Sequence, residues 1–383
     1  MEFTKKRHSG RALLVTGGLV LSLALTACGS ANNDNTTTTA NTTPGKDCKK
    51  VGVLLPETDS SARWDSKDRP ALTDGIKAKL PDATVLYNNA QGSATTQQTQ
   101  AEADLANGAC ILVVAPVDGD ASAAIVASAK AKNVPVIAYD RLIYSDDLSY
   151  YVSFDNEGVG KLQGQYIAEH YKDFVKGNNN NTVMINGGQT DNNALLFEKG
   201  AHETLQPLFD NKSLNLVYST FTDKWDNAKA QTEMEGALTA NANNVQIAYV
   251  ANDGMAGTVI AALKAHNLNG KVLVTGQDAT VSGIQNILTG DQAMTVYKNI
   301  SKESSSTADL VAAISKGTDT ASITNGLTVK NPKGSKAIAS VLAQAVIVDK
   351  SNIIDTVLKD GFVTKADICK NLPAGTDTKG ICS

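Results

Sequence analysis

The sequence predicts an α/β protein of two doubly wound parallel-sheet lobes, and three observations predict it. Short β-branched runs alternate with longer helical stretches from residue 49 onward. The alternation restarts after Phe154 with a second set of similar size. Polar side chains gather just beyond the apolar runs, where parallel strands end and ligands of open α/β sheets bind. The folded part, about 335 residues, exceeds what one core usually holds, so two lobes are expected.

In the first set, residues 51–55 read as a strand and 67–80 as a helix bounded by Pro81. Residues 84–87 are a strand, 95–107 a helix ended by Gly108, 111–115 a strand and 121–132 a helix. The strand Val134-Pro135-Val136-Ile137-Ala138-Tyr139 then ends abruptly in an acid and a base, Asp140-Arg141. After the run 150–154 the second set reads helix 156–171, strand 182–186, helix 192–205, strand 214–219 and helix 225–239. It continues with strand 245–250, helix 253–266, strand 272–275, helix 281–288 and strand 293–297. The helix 304–315 and the apolar segment 337–348 have no partners of their own, and most simply return to complete the lobes.

The chain opens with Lys5, Lys6, Arg7 and Arg11, then an apolar run from Ala12 to Ala27 that ends in Leu25-Thr26-Ala27-Cys28-Gly29. A basic head, a short apolar core and small residues before a cleavage point make a secretory signal over residues 1–27. The run is shorter than the ~20 residues of a spanning helix. Residues 28–46 hold no large apolar side chain and are expected to be a disordered tether. Without residues 1–27, which carry four bases and one acid, the formal charge moves from −4 to −7. With no basic patch of interleaved aromatics, this excludes a nucleic-acid binder. Besides Cys28, the cysteines are Cys48, Cys110, Cys369 and Cys382, an even number suited to an oxidising compartment. Cys48 and Cys110 each precede a strand. Were those strands parallel neighbours, the two would sit side by side, so the expected bonds are Cys48–Cys110 and Cys369–Cys382. No Cys-x-x-Cys pair or His cluster points to a metal.

The strand ends carry Arg63-Trp64-Asp65-Ser66-Lys67 and Asp140-Arg141 in the first set. In the second they carry Asp191-Asn192-Asn193, Asp223-Lys224-Trp225, Asn252-Asp253, Gln277-Asp278 and Lys298. Any one is ordinary loop chemistry, and Asn252, Asp253 or Asp278 could each be a helix N-cap. Seven on one edge of two sheets are harder to assign to capping. Carboxylates, amides and cations together supply the paired donors and acceptors that neighbouring hydroxyls require. Both tryptophans of the chain, Trp64 and Trp225, fall in this set, one per lobe. Each suits a core or a lobe interface; together, beside hydrogen-bonding side chains, they suit the C–H faces of a sugar.

At these residues the chain resembles the sugar-specific periplasmic binding proteins of type I that feed ABC transporters, in their xylose-binding branch. Carrying the resemblance are Arg63-Trp64-Asp65-Ser66-Lys67-Asp68-Arg69, Ala138-Tyr139-Asp140-Arg141-Leu142-Ile143, Asn252-Asp253-Gly254-Met255-Ala256, Gly276-Gln277-Asp278-Ala279 and Met294-Thr295-Val296-Tyr297-Lys298. It covers residues 49–363. It implies sugar contacts at Arg63, Trp64, Lys67, Asp140, Arg141, Asn193, Trp225, Asn252, Asp278 and Lys298. It also implies a three-segment hinge near Phe154, Tyr297 and Ala345, with lobes 47–154 plus 299–345 and 155–298 plus 346–383. Leu-Thr-Ala-Cys-Gly resembles a bacterial lipobox, which implies a lipid on Cys28 and a membrane-anchored, extracytoplasmic lipoprotein. The implied partners are a monosaccharide, D-xylose foremost, and a membrane permease; a monomer without cofactor is expected. The chain departs from the family pattern between Val53 and Ala62, lacks a Gly before Trp225, and adds the four cysteines and a tail after Phe362.

A glycosidase using Asp140 and Asp278 is the rival of another class. Against it, Arg141 and Lys298 are expected to keep both carboxylates ionised, leaving no general acid. A sugar-responsive transcription regulator would need a DNA-binding head where this chain has a signal. A binder of another small polar ligand, a hexose or a signalling molecule, stays open.

Overall fold

A computed structural model describes residues 43–382. The signal at 1–27 and Cys28 lie outside the described residues, as does most of the expected tether. Its last part differs from expectation: residues 43–46 form a turn, and Gly45 is buried against Ile314, Pro135 and Ile111. The fold therefore takes in residues before Asp47, because a glycine there lets the backbone lie flat on the core.

Thirteen strands are described: β1 Lys50–Leu55, β2 Thr84–Asn89, β3 Ile111–Val114, β4 Val136–Tyr139, β5 Tyr150–Phe154, β6 Asn181–Asn186, β7 Asn215–Phe221, β8 Ile247–Val250, β9 Leu273–Val274, β10 Met294–Tyr297, β11 Thr328–Lys330, β12 Ala337–Ala343 and β13 Val346–Asp349. The helices between them are α1 Arg69–Lys79, α2 Ala94–Ala106, α3 Ala123–Ala131, α4 Asn156–Phe174, α5 Asn192–Asp210, α6 Asn227–Ala240, α7 Asp253–Ala265, α8 Val281–Thr289 and α9 Ile300–Lys316.

One sheet runs β11-β12-β5-β4-β3-β1-β2, parallel except for the β11–β12 hairpin. Successive strand residues feed opposite faces, as the pleat demands. Val51, Val53, Ile111, Val113 and Ile137 meet Leu72 and Ile76 of α1 and Val311 and Ile314 of α9. Leu54, Leu112, Val114 and Val136 meet Leu105 of α2 and Ile125 and Val126 of α3. The second sheet runs β7-β6-β8-β9, and a parallel bridge from Gln277 to Val296 sets the antiparallel pair β10–β13 beside it. Helices α4 and α5 pack on this lobe very closely. A Cβ on Gly160 would meet the Phe197 carbonyl at 2.0 Å, and one on Gly200 the Glu157 carbonyl at 2.1 Å.

The chain passes between the sheets after β5, after β10 and between β12 and β13. The apolar segment 337–348 is thus two strands in different sheets, parting at Gln344-Ala345. The expected helix 67–80 opens instead with a wide turn over Trp64–Asp68 before α1. Pro70 in the first turn of α1 has no N–H to close a regular one. Disulfides join Cys48 to Cys110 and Cys369 to Cys382. The first ties the entering ends of the paired strands β1 and β3. Among the described residues no helix is long and apolar enough to cross a membrane.

Candidate functional site

In each sheet the strand order reverses once, between β1 and β3 and between β6 and β8, and a crevice opens beyond such a switch point. The loops after β1, β4, β6, β7, β8, β9 and β10 meet there. Around one small chamber the structure brings together Arg63, Trp64, Asp140, Arg141, Asn193, Trp225, Asn252 and Lys298. Asp278 stands against it through Lys298, 3.2 Å away, and Arg63, 3.8 Å away. Lys67 is not brought to the chamber. Its ammonium donates to the Phe362 carbonyl of the other lobe and lies 5.1 Å from that ring.

Asp140 is at the centre. Its backbone has φ +60°, a conformation a non-glycine residue holds only when its surroundings enforce it. Three donors enforce it here: Ser153 Oγ at 2.6 Å, Asn193 Nδ2 at 3.0 Å and Tyr151 Oη at 3.1 Å all reach the Asp140 carbonyl. The carboxylate accepts from Arg63 Nη1 at 2.9 Å and Asn193 Nδ2 at 3.1 Å. Burial alone would raise its pKa, but Lys298, Arg63 and Arg141 outweigh burial and hold it at about 2. Arg63 also grips Asp68 with two nitrogens, at 2.6 and 2.9 Å, and Glu303 at 3.3 Å. Burial works against its charge, yet these carboxylates keep its pKa above the ordinary value.

Arg141, expected from its position to keep Asp140 ionised, does so only as the third cation. Its own pairs are Glu57 at 3.0 Å and, across the lobes, Asp191 at 3.0 Å. Geometry decides: Arg141 Nε points over the cleft, and the pairing with Asp140 falls to Arg63.

The two tryptophans face the chamber from opposite lobes. Arg63 and Arg141 lie over the Trp64 ring at 4.6 and 5.1 Å, cation–π contacts that orient it. Trp225, with φ +58°, is seated on Gly187, where any Cβ would lie 2.1 Å from its ring. Its Nε1 donates to Asp191 at 3.2 Å, and Phe197 meets it edge-on at 6.3 Å. Trp64 Nε1 and Gln277 Oε1 are buried and have no hydrogen-bond partner among the described residues. A donor and an acceptor are thus left for something polar. Asn252 serves two ends: its Oδ1 caps α7 by accepting from Met255 N, and its Nδ2 donates across the lobes to the Ser60 carbonyl at 3.3 Å. Asp253 and Asp278 are not caps of this kind. Asp253 is buried under Thr280 and Gln292, and Thr280 caps α8.

Ser60, Ser61, Asp191, Phe197 and Gln277 also line the chamber. Asp191 and Gln277 stood in the strand-end pattern, but Phe197 lies inside α5 and carries no sequence signal. With the lobes drawn together the chamber measures about 30 Å³, close to the share of one water molecule.

Residues 51–319 match the model of the periplasmic binding protein domain. The D-xylose-binding periplasmic protein of Haemophilus influenzae is 38% identical over 322 residues, 83% of this chain and 92% of that protein. The D-xylose-binding periplasmic protein of Escherichia coli is 36% identical over 319 residues, with the same coverage. Among solved structures, an ABC transporter solute binding protein from Clostridium phytofermentans with bound β-D-glucose is 30% identical. It superposes with a TM-score of 0.73 over 84% of this chain and 100% of its own.

Proposed function

The chain belongs to the periplasmic binding protein domain family, and on that premise we propose that it is the substrate-binding lipoprotein of a sugar ABC transporter, taking D-xylose between its lobes. The observation that carries this is the composition of the chamber. An ionised Asp140, the amides of Asn193 and Asn252, Lys298 and two flat indoles come from both lobes onto one small space. Xylose hydroxyls donate to Asp140 and accept from Lys298 and the amides, while the ring's C–H faces lie on Trp64 and Trp225. A ligand gripped from both sides favours the closed form by the contacts that only closure supplies. A permease reads that form, and a lipid on Cys28 keeps the protein at the outer face of the membrane. The relatives are named as binding proteins, and this chain is likewise read as a binder rather than an enzyme.

A hexose is the second reading, favoured by the glucose-bound relative. Calorimetry with D-xylose, D-ribose, D-glucose and D-galactose decides between the two. D-xylose is expected to bind most tightly. If D-glucose binds more tightly, the pentose assignment falls; if no sugar binds, the chamber is not a sugar site.

A further inference from the structure

A second, larger cavity of about 360 Å³ adjoins the chamber, within the roughly 300–1,000 Å³ of small-molecule sites. Both lobes build it: Glu57, Asp59 and Gln91 on one side, Lys224, Asp226 and Asn227 on the other. Ser60, Arg141, Asp191 and Trp225 line both spaces, so they form the wall between them. The hydrogen bond from Asn227 Nδ2 to the Asp59 carbonyl, 3.0 Å, closes it across the cleft.

We infer that this vestibule is a second sugar subsite, and that the protein accepts a glycoside whose first ring occupies the chamber and whose second ring occupies the vestibule. The inference rests on the sugar reading of the chamber. Its lining mixes carboxylates, amides and the cations Arg141 and Lys224, which suits a neutral ligand with many hydroxyls rather than an anion or an apolar group. The flat ring of Trp225 serves both spaces. Lys224 and Trp225 are both at φ +58°. Gly92, at φ +73°, has nothing within 4 Å of where a Cβ would stand, so that part of the lining is open to a ring's approach. The glycosidic oxygen would pass the wall where Arg141 Nε now meets Asp191.

The test is calorimetry with two matched pairs, D-xylose with xylobiose and D-glucose with cellobiose, on the full chain and two variants. Ala228 lines only the vestibule and is exposed in the first turn of α6. Ala228→Trp fills the space, and Lys224→Gln removes a charge from an exposed position; circular dichroism confirms that each is folded. The disaccharide of the preferred pair is expected to bind at least as tightly as its monosaccharide. Ala228→Trp should weaken the disaccharide tenfold or more and Lys224→Gln threefold or more, with the monosaccharide within twofold in both. A monosaccharide that binds while its disaccharide does not overturns the inference and leaves the sugar reading standing. Equal losses for both ligands in Ala228→Trp overturn it too. A protein that binds neither pair overturns the sugar reading, and the inference with it.

Discussion

Replacing Asp140 by Asn removes one charge and almost no volume, so it isolates what the ionised carboxylate does. Asp140 is buried, and its Oδ atoms meet Arg63 at 2.9 Å and Asn193 at 3.1 Å. A hydrogen bond to a charged group contributes about 1.5–3 kcal/mol. Since about 1.4 kcal/mol is a factor of ten, affinity for D-xylose should fall roughly 10- to 100-fold. Stability changes with it. The folded carboxyl sits at about 2 against an ordinary 3.8, a gap equivalent to about 2 kcal/mol. Because the folded value is depressed, that contribution is complete above pH 3.8 and is lost as the pH falls toward 2. The variant should therefore be less stable than the parent at pH 7 and converge with it at the acid end. Calorimetry at pH 7 and urea unfolding at several pH values measure the two effects. Sugar affinity within threefold of the parent, in a variant that melts normally, would refute the role given to this carboxylate.

Gly187→Ala sets a methyl group against the Trp225 ring; the variant should fold, show altered tryptophan fluorescence and lose tenfold or more in sugar affinity. Lys67→Met removes the lobe-to-lobe bond to Phe362 without touching the chamber, so every sugar should weaken by the same few-fold factor and selectivity should be unchanged in a calorimetric series. Burial raises Asp253 to about 7 from an ordinary 3.8, so the folded form holds a proton that the unfolded chain releases. Stability should fall as the pH rises from 3.8 to 7 and level off above, and Asp253→Asn should flatten that slope in urea titrations. Cys48→Ser with Cys110→Ser opens a cross-link between residues 62 apart, which in the chain-entropy account costs about 4 kcal/mol, read as a lower melting temperature that reductant lowers further only through Cys369–Cys382.

The strands were legible because buried parallel strands are continuous β-branched runs, and Ile111–Val114 or Ile247–Val250 have no polar residue to obscure them. The chamber was largely legible for a related reason: strand ends of one kind must share an edge. What escaped has no local cause. Lys67 sits in a motif beside Arg63 and Trp64, but its partner is 295 residues away in sequence. Glu57 and Phe197 are single residues in a loop and a helix, and nothing about them marks a site until the lobes meet. The run 337–348 contains no Gly or Pro to show that it changes sheets midway. Nor does the sequence reveal that Asp140, Trp225 and Asp278 all have φ above +20°, since none is glycine.

In the proposed function one of those three, Asp140, connects sugar binding to closure. Each strained backbone costs on the order of 1–3 kcal/mol and persists only where its surroundings hold it. For Asp140 the holding groups come from both lobes: Ser153 and Tyr151 from its own, Asn193 from the other. Asn193 is itself fixed by Asn156, whose Nδ2 reaches Asn193 Oδ1 at 2.8 Å and Ser153 Oγ at 3.0 Å, just where the chain first crosses between sheets. Parting the lobes withdraws Asn193 from both the carbonyl and the carboxylate of Asp140, and Asp278 from Arg63. An open form is therefore expected to hold Asp140 less firmly and to share its cations less fully. In the proposed function a sugar that bonds to Asp140 gains more when Asn193 is also in place, as it is with the lobes drawn together. In the proposed function the carboxylate that grips the ligand is thus also a group whose geometry depends on closure, which couples binding to closure at Asp140.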